Sequence, residues 1–232
     1  MAKRSVAIIT ARGGSKRIPR KNIKEFLGKP IIVYSIEAAL TSGIFDEVMV
    51  STDDEEIAEI AKKAGADIPF MRSDELANDY ATTTDVIGEV LKSYKEIGKE
   101  FDYACCIYPT APFVTRELLL KARECVEGEG ADSCIPVIGF GFPPQRGMVI
   151  ENGVARYKYP QYQFTRSQDL ETMYHDSGQF YYFDVKNFEA TGKMLGDNIR
   201  PIVISEMEAQ DIDNEDDWKI AELKYKLLFG DK

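Results

Sequence analysis

The apolar run Val6-Ala7-Ile8-Ile9 opens almost directly into Ala11-Arg-Gly-Gly-Ser-Lys-Arg-Ile-Pro-Arg-Lys-Asn22. A strand that gives way to paired glycines presents backbone N–H groups at the edge of a sheet. Here the loop adds Arg12, Lys16, Arg17, Arg20, Lys21 and Lys24, with no acidic residue between Arg12 and Lys24. The formal charge of the whole chain is -10, so six cations in one short loop mark a place for a polyanion. Backbone N–H groups with ammonium and guanidinium donors suit phosphate oxygens, and the loop reads as a cradle for a nucleotide triphosphate. Gly13-Gly14-Ser15-Lys16 fits neither the GxxxxGK[ST] spacing nor the GxGxxG turn. The other reading, a solvated basic turn, stays open at this point.

Strand-like and helical runs alternate through the first half, which predicts crossover units and a mainly parallel α/β sheet. A helix is expected from Pro30 to about Leu40, stopped near Gly43, and a strand over Glu47–Thr52. Asp53 or Asp54 then caps a helix carrying Ile57, Ile60 and Ala61. Ile68–Arg72 reads as a short strand with an arginine at its exit, and Thr82-Thr-Thr84 opens a helix with Val86, Val90 and Leu91 inward. Tyr103–Tyr108 is a strongly apolar strand broken by Pro109-Thr-Ala-Pro112, and Thr115 caps a helix through about Val126. Residues 140 to 178, rich in aromatics and proline without helical period, read as an inserted arm that a second subunit would cover. The sheet is expected to resume at Gln179–Phe183 and Pro201–Ile204. A last helix over Glu215–Leu228 would pack through Trp218, Ile220, Ala221, Leu223 and Leu227.

At 232 residues the chain suits one domain with that arm inserted. No apolar stretch is long enough to cross a bilayer, and the first residues run into a strand rather than a signal sequence, which predicts a cytoplasmic address. The acidic balance argues against a nucleic-acid surface. Cys105, Cys106, Cys125 and Cys134 lack metal-ligand spacing and read as buried free thiols.

Gln210-Asp211-Ile212-Asp213 precedes the last helix. If the segment is extended, both carboxylates share one side while Ile212 points to the core. Such a pair suits Mg²⁺, which takes few carboxylates and completes its shell with water and phosphate oxygens. Alternatively, Asp213 caps the helix and Asp211 is solvated.

The cradle motif, Ser51-Thr-Asp-Asp54, Tyr108-Pro-Thr-Ala-Pro112 and Gln210-Asp-Ile-Asp213 together resemble the CMP-sialic acid synthetase family of acidic-sugar cytidylyltransferases. Arg166-Ser-Gln-Asp-Leu-Glu171 with Tyr174-His-Asp-Ser-Gly-Gln-Phe180 resembles the branch that activates pseudaminic acid. Sialic acid enzymes usually carry a glutamine where Tyr108 stands and Asn-Gly-Ala where Asp176-Ser-Gly-Gln stands. The resemblance implies a Rossmann-like mononucleotide-binding fold, CTP and an acidic nine-carbon sugar as substrates, Mg²⁺, and a homodimer whose arm reaches over the neighbour's site. It implies that Arg12, Gly13, Ser15, Lys16, Lys21 and Asn22 hold the triphosphate and nucleotide, with Arg72 and the Ala81-Thr82-Thr83 turn near the cytosine. It gives Asp211 and Asp213 to the metal and Tyr108, Arg166, Gln168, His175 and Gln179 to the sugar.

The implied chemistry is in-line attack of the anomeric hydroxyl on the α-phosphate of CTP. Arg12, Lys16 and Lys21 would act as the catalytic cations by charge stabilisation. His175 is the only histidine, and a lone histidine reads more readily as a hydrogen-bonded structural group than as a catalyst; Arg166 could instead pair with Asp169 or Glu171. Rival readings are the same reaction on N-acetylneuraminic, legionaminic or 3-deoxy-manno-octulosonic acid, a sugar-1-phosphate nucleotidyltransferase, and a nucleotide sensor without catalysis.

Overall fold

The computed structural model describes residues 3–78 and 80–230. Its first strand, β1 (Ser5–Thr10), is buried on both faces, and a strand apolar on both sides requires a layer against each. The cradle loop follows. It is closed by a small antiparallel pair, β2 (Glu25–Phe26) and β3 (Lys29–Pro30), which turns at Leu27 and Gly28 with positive φ at both. Helix α1 (Ile31–Ser42) starts after Pro30 and ends at Gly43, whose φ of 67° is left-handed. Next come β4 (Glu47–Ser51) and α2 (Glu55–Lys63); the Asp54 side chain accepts from the Ile57 N–H and caps α2. Thr82 and Asp85 form a reciprocal capping box on α3 (Thr83–Glu96).

The second half builds the far side of the sheet from β5 (Tyr103–Ile107), α4 (Arg116–Arg123, capped by Thr115) and β6 (Ser133–Gly139). After α4 the backbone widens into a π-turn over Glu124–Gly128. The hairpin β7 (Met148–Glu151) and β8 (Val154–Tyr157) lies within the inserted segment. The chain then supplies β9 (Tyr174–Asp176), β10 (Phe180–Asp184), α5 (Val185–Thr191), β11 (Ile199–Ile204) and α6 (Glu215–Phe229).

The seven-stranded sheet runs β11-β6-β10-β5-β1-β4, with β9 also paired to β6. The β1–β4, β1–β5 and β6–β11 pairs are parallel, whereas β9 and β10 run antiparallel to their neighbours. Alternation along β1 sends Ala7 and Ile9 to the core under α1 and α4, and Val6 and Ile8 to the core under α3 and α5. A third cluster of Ile18, Phe26, Ile31, Tyr34, Phe113, Ile212, Trp218 and Ala221 gathers the cradle loop, α1 and α6 at one end of the sheet. Among the described residues no helix is long and apolar enough to cross a membrane. The four cysteines are free, and all but Cys125 are fully buried.

Three expectations change. Ile68–Arg72 is not a strand: one bridge from Asp67 to Met49 and the Arg72 N–H to Thr52 O bond tether it to β4, and Pro69 interrupts a ladder there. The arm is less irregular than its composition suggests, because it holds the β7–β8 hairpin and returns to the sheet at β9. On α6 only Trp218 and Ala221 are buried, while Ile220, Leu223 and Leu227 are exposed. The two apolar sets follow the same three-and-four spacing on different faces, and the core takes the face that meets Phe26.

Trp218 packs edge-on against Phe26 at 5.6 Å between ring centroids. Trp218→Ala is expected to lower stability by about 3–5 kcal/mol in urea denaturation, and Leu227→Ala to change it by less than about 0.5 kcal/mol. Equal losses would mean that α6 docks through its other face.

Candidate active site

The loop after β1 is shaped by acids at the end of β4. The Gly13 N–H donates to Asp53 Oδ1 at 2.9 Å. A Cβ on Gly13 would lie 2.7 Å from Asp54 Oδ2, so only glycine lets the loop pass this close. The Ser15 N–H turns back to Gly13 O. These two backbone donors are thus engaged within the protein rather than turned outward, as the glycine turn alone had suggested. Asn22 is buried, and its amide nitrogen donates to Arg12 O at 2.9 Å, so it props the loop from below. The Arg12 guanidinium reaches Asn78 O at 3.4 Å, and Lys16 lies exposed at the loop crest.

Acids reach into this loop and break up what would be a uniform positive field. Arg20, itself left-handed at φ 55°, forks onto Asp54 and also meets Glu56. Lys24 pairs with Glu215 at 2.6 Å and sits 4.6 Å from the Trp218 ring centre. Arg17 bridges to Asp213 at 2.5 Å.

Lys21 joins the loop to the acidic pair. Its Nζ donates to Ile212 O at 2.6 Å and lies 3.9 Å from Asp213 Oδ1. Burial lowers its pKa, opposed by the charges of Asp213 and Asp211 and reinforced by Arg17 and Arg12. Ile212 is only 1% exposed, inside the third cluster, while Asp211 is exposed and Asp213 half-buried. The side chains therefore alternate although the segment belongs to no strand. Asp213 does not cap α6: Asn214 does, accepting from the N–H groups of Asp216 and Asp217. No group of three or more His, Cys, Asp or Glu side chains suited to a metal stands among the described residues. Two carboxylates alone fit a hard cation whose remaining positions go to water and phosphate oxygens, and not a closed protein cage.

Arg72 is buried against β4, donating from Nε to Ser51 Oγ at 3.1 Å and from Nη2 to Ser51 O at 2.7 Å. Burial lowers its pKa, with Asp53 and Glu89 opposing. The Thr82 hydroxyl accepts from the Asp85 N–H at 3.1 Å and donates to its carboxylate at 2.7 Å. The side chain expected beside the base is thus committed to the cap of α3, which sets where that turn stands.

Beside Asp211 opens a cleft of about 400 Å³, lined by His175, Asp176, Ser177, Gln210 and Lys224 among others. His175 rests its ring on Phe140 at 4.9 Å, and its Nδ1 lies 2.8 Å from Asp176 O. Tyr108 is fixed through its backbone to Gln179 O and to the Ser35 hydroxyl, and its ring meets Tyr181 edge-on at 5.7 Å. The Tyr181 hydroxyl donates to Asp176 Oδ2 at 2.5 Å, and burial with this bond pushes its pKa up. Gln179 is 2% exposed and donates to Glu208 O at 2.6 Å, while its Oε1 and the Ser177 hydroxyl have no partner among the described residues.

Arg166 and Gln168 are not brought to this cleft within one chain. Arg166 is exposed and forks onto Asp169 at 2.7 and 3.1 Å. Gln168 borders a separate hollow of about 280 Å³ with Phe140, Pro143 and Glu171. Sequence reasoning missed Asp176, Ser177 and Lys224; the orphaned hydroxyl and the Lys224 contacts have no local signal in the chain.

The model of a family described as cytidylyltransferase matches residues 6–211, from the first strand to the first acid of the pair. The chain belongs to that family. This cytidylyltransferase is 40% identical over 225 residues to a pseudaminic acid cytidylyltransferase of Campylobacter jejuni, with 97% of each chain covered. It is 31% identical to a CMP-N,N'-diacetyllegionaminic acid synthase of Legionella pneumophila, again over 97% of each. Its fold is shared with a CMP:2-keto-3-deoxy-manno-octonic acid synthetase solved with CTP: TM-score 0.71, 18% identity, 98% of this chain and 100% of that one.

Gly13→Ala must displace either the cradle or the Asp54 carboxylate that Arg20 and the Ile57 N–H hold, and a displacement of this size is expected to cut turnover about 100-fold with the circular dichroism spectrum unchanged. Full activity would place the reaction elsewhere. The cytidylyltransferase also carries a pH signature. The Arg20 hydrogen bond holds the Asp54 carboxyl below its ordinary 3.8, against desolvation and helped by the Ile57 N–H. A depressed carboxyl stabilises the fold above its unfolded pKa and loses that contribution as pH falls through the folded value. The stability gap between wild type and Arg20→Met is expected to be constant near neutral pH and to close well below pH 3.8; a gap that persists there would remove Asp54 as its source.

Proposed function

We propose that this cytidylyltransferase transfers CMP from CTP to the anomeric hydroxyl of pseudaminic acid and releases pyrophosphate. The observation that carries the reading is the 40% identity with a pseudaminic acid cytidylyltransferase across nearly the whole of both chains. The geometry supports it, since Lys21 ties a cationic loop to the paired carboxylates at one end of the sheet.

In this reading Arg12, Lys16 and Lys21 balance the triphosphate charge, with Ser15 and Asn22 ordering the loop around the nucleotide. Gly13 acts by close approach, since its N–H is taken by Asp53. Arg72 and the Thr82 turn border the base. The sugar acid lies in the cleft beside Asp211, with Tyr108, His175 and Gln179 around it. The hydroxyl oxygen attacks the α-phosphorus while the bond to the β-phosphate oxygen breaks, and the hydroxyl proton passes to water. Asp211 and Asp213 would hold Mg²⁺, which supplies charge stabilisation to the leaving pyrophosphate.

The same reading makes the protein a homodimer. Phe142, Ile150 and Phe164 are 61%, 76% and 90% exposed on the arm, and neither Arg166 nor Gln168 lines the cleft of its own chain, which supports their reaching a neighbour's sugar. It also puts the protein in the cytoplasm, where CTP is made.

The test is pyrophosphate release with CTP and Mg²⁺ across pseudaminic, legionaminic, N-acetylneuraminic and 3-deoxy-manno-octulosonic acids. A signal with CTP and pseudaminic acid is expected. Preference for another acid would keep the chemistry and change the substrate, and silence from folded protein that binds CTP would point to a sensor. Asp211→Asn or Asp213→Asn is expected to lower kcat by about 100-fold or more while CTP binding changes little; an active double variant would remove the metal assignment.

A further inference from the structure

The segment that carries Asp211 and Asp213 belongs to no strand, so no β-ladder fixes its backbone. Side chains hold it instead. Downstream, Lys21 binds Ile212 O, and the Asp217 carboxylate accepts from the Asp213 N–H at 2.9 Å. Upstream, three acceptors converge on one ammonium. Lys224, on α6, donates to Glu206 O at 2.8 Å, to Ala209 O at 2.9 Å and to Gln210 Oε1 at 3.0 Å.

An ammonium has three donors, and here all three go to residues 206–210. Lys224 is half-buried at the side of the cleft that also holds Asp211. With its donors occupied, it is not arranged to grip a substrate oxygen. What it fixes is the chain entering Asp211. Gln210, whose Oε1 it holds, uses its amide nitrogen to donate to Asp211 O at 3.0 Å, which extends the tether to the acid itself. The same strap carries Glu208, whose carbonyl fixes the buried Gln179.

We propose that Lys224 is a positioning residue for the Asp211–Asp213 pair, clamping residues 206–210 so that the Asp211 carboxylate is held ready for a divalent cation. This rests on the metal reading above. Partners that orient a metal's ligands typically matter by about 10- to 100-fold in affinity, and Lys224 bonds three of the residues that lead into Asp211.

The test is Mn²⁺ binding to the full chain with CTP present, followed by the enhancement of water-proton relaxation above that of Mn²⁺ and CTP without protein. The comparison is wild type, Lys224→Met and Asp211→Asn, with CTP affinity measured separately without metal. Lys224→Met is expected to weaken Mn²⁺ binding by about 10-fold or more while metal-free CTP affinity stays at the wild-type value. Lys224→Arg, which keeps the charge but not three compact donors, is expected to recover only part. A merely structural role would lower the melting temperature and leave Mn²⁺ affinity alone. Wild-type Mn²⁺ affinity in folded Lys224→Met, with Asp211→Asn impaired, would overturn the proposal and leave the metal reading standing. Unchanged binding in both variants would overturn the metal reading and the proposal with it. Should Lys224→Met fail to fold, Gln210→Leu removes one acceptor and the link to Asp211. It is expected to weaken Mn²⁺ binding severalfold, and no change would sink the proposal.

Discussion

The contact between Lys21 and the carbonyl of Ile212 joins two ends of the chain 191 residues apart. Around it the third cluster packs Ile18 from the cradle, Phe26 and Tyr34 from the turn and α1, and Ile212 and Trp218 from the far end. The sheet alone could not bring these segments together, since the loop joins it only at its start, through the Ala11 N–H to Ser51 O bond, and the acidic segment belongs to no strand. Apolar burial supplies the attraction, and the lysine sets the register. Opposite charges that are far apart in sequence thereby come to face one another across the end of the sheet.

That arrangement explains the division of labour among the cations. Arg20 and Lys24 are tied to acids of α2 and α6 and hold the loop in shape. Arg17 and Lys21 lie against Asp213, which restrains mutual repulsion among the loop's positive groups. A loop of this charge would otherwise be driven apart by its own field. Gly13 belongs to the same economy of space, since Asp53 and Asp54 come so near the backbone that no side chain fits between. The buried Gln179 Oε1 and Ser177 hydroxyl are the opposite case, polar groups with no hydrogen-bond partner among the described residues.

Much of this was legible in the chain, and for identifiable reasons. Helix caps at Thr82 and Thr115 follow from short-range hydrogen bonding and stand where spacing places them, while of the two candidates Asp53 and Asp54 the structure uses Asp54. The alternation of Asp211, Ile212 and Asp213 was also readable, because it needs only an extended backbone and one apolar residue to mark the inside. The exposed faces were harder. Ile220, Leu223 and Leu227 have the spacing of a core stripe, yet the core took Trp218 and Ala221. Arg166 has the chemistry of a carboxylate clamp, and in its own chain it takes the other reading that the sequence left open, pairing with Asp169 three residues away.

By itself the sequence determined the crossover pattern, the cationic loop after the first strand, the acidic pair and the kinship with cytidylyltransferases, because all of these are written in local spacing. Only the tertiary structure decided which cations are tied to acids, that β10 runs antiparallel between β5 and β6, and that Lys224 donates to residues 206–210. The physical reason is the same in each case. A long side chain or a strand edge has several partners within reach, and packing between distant segments, which no window of sequence contains, selects one.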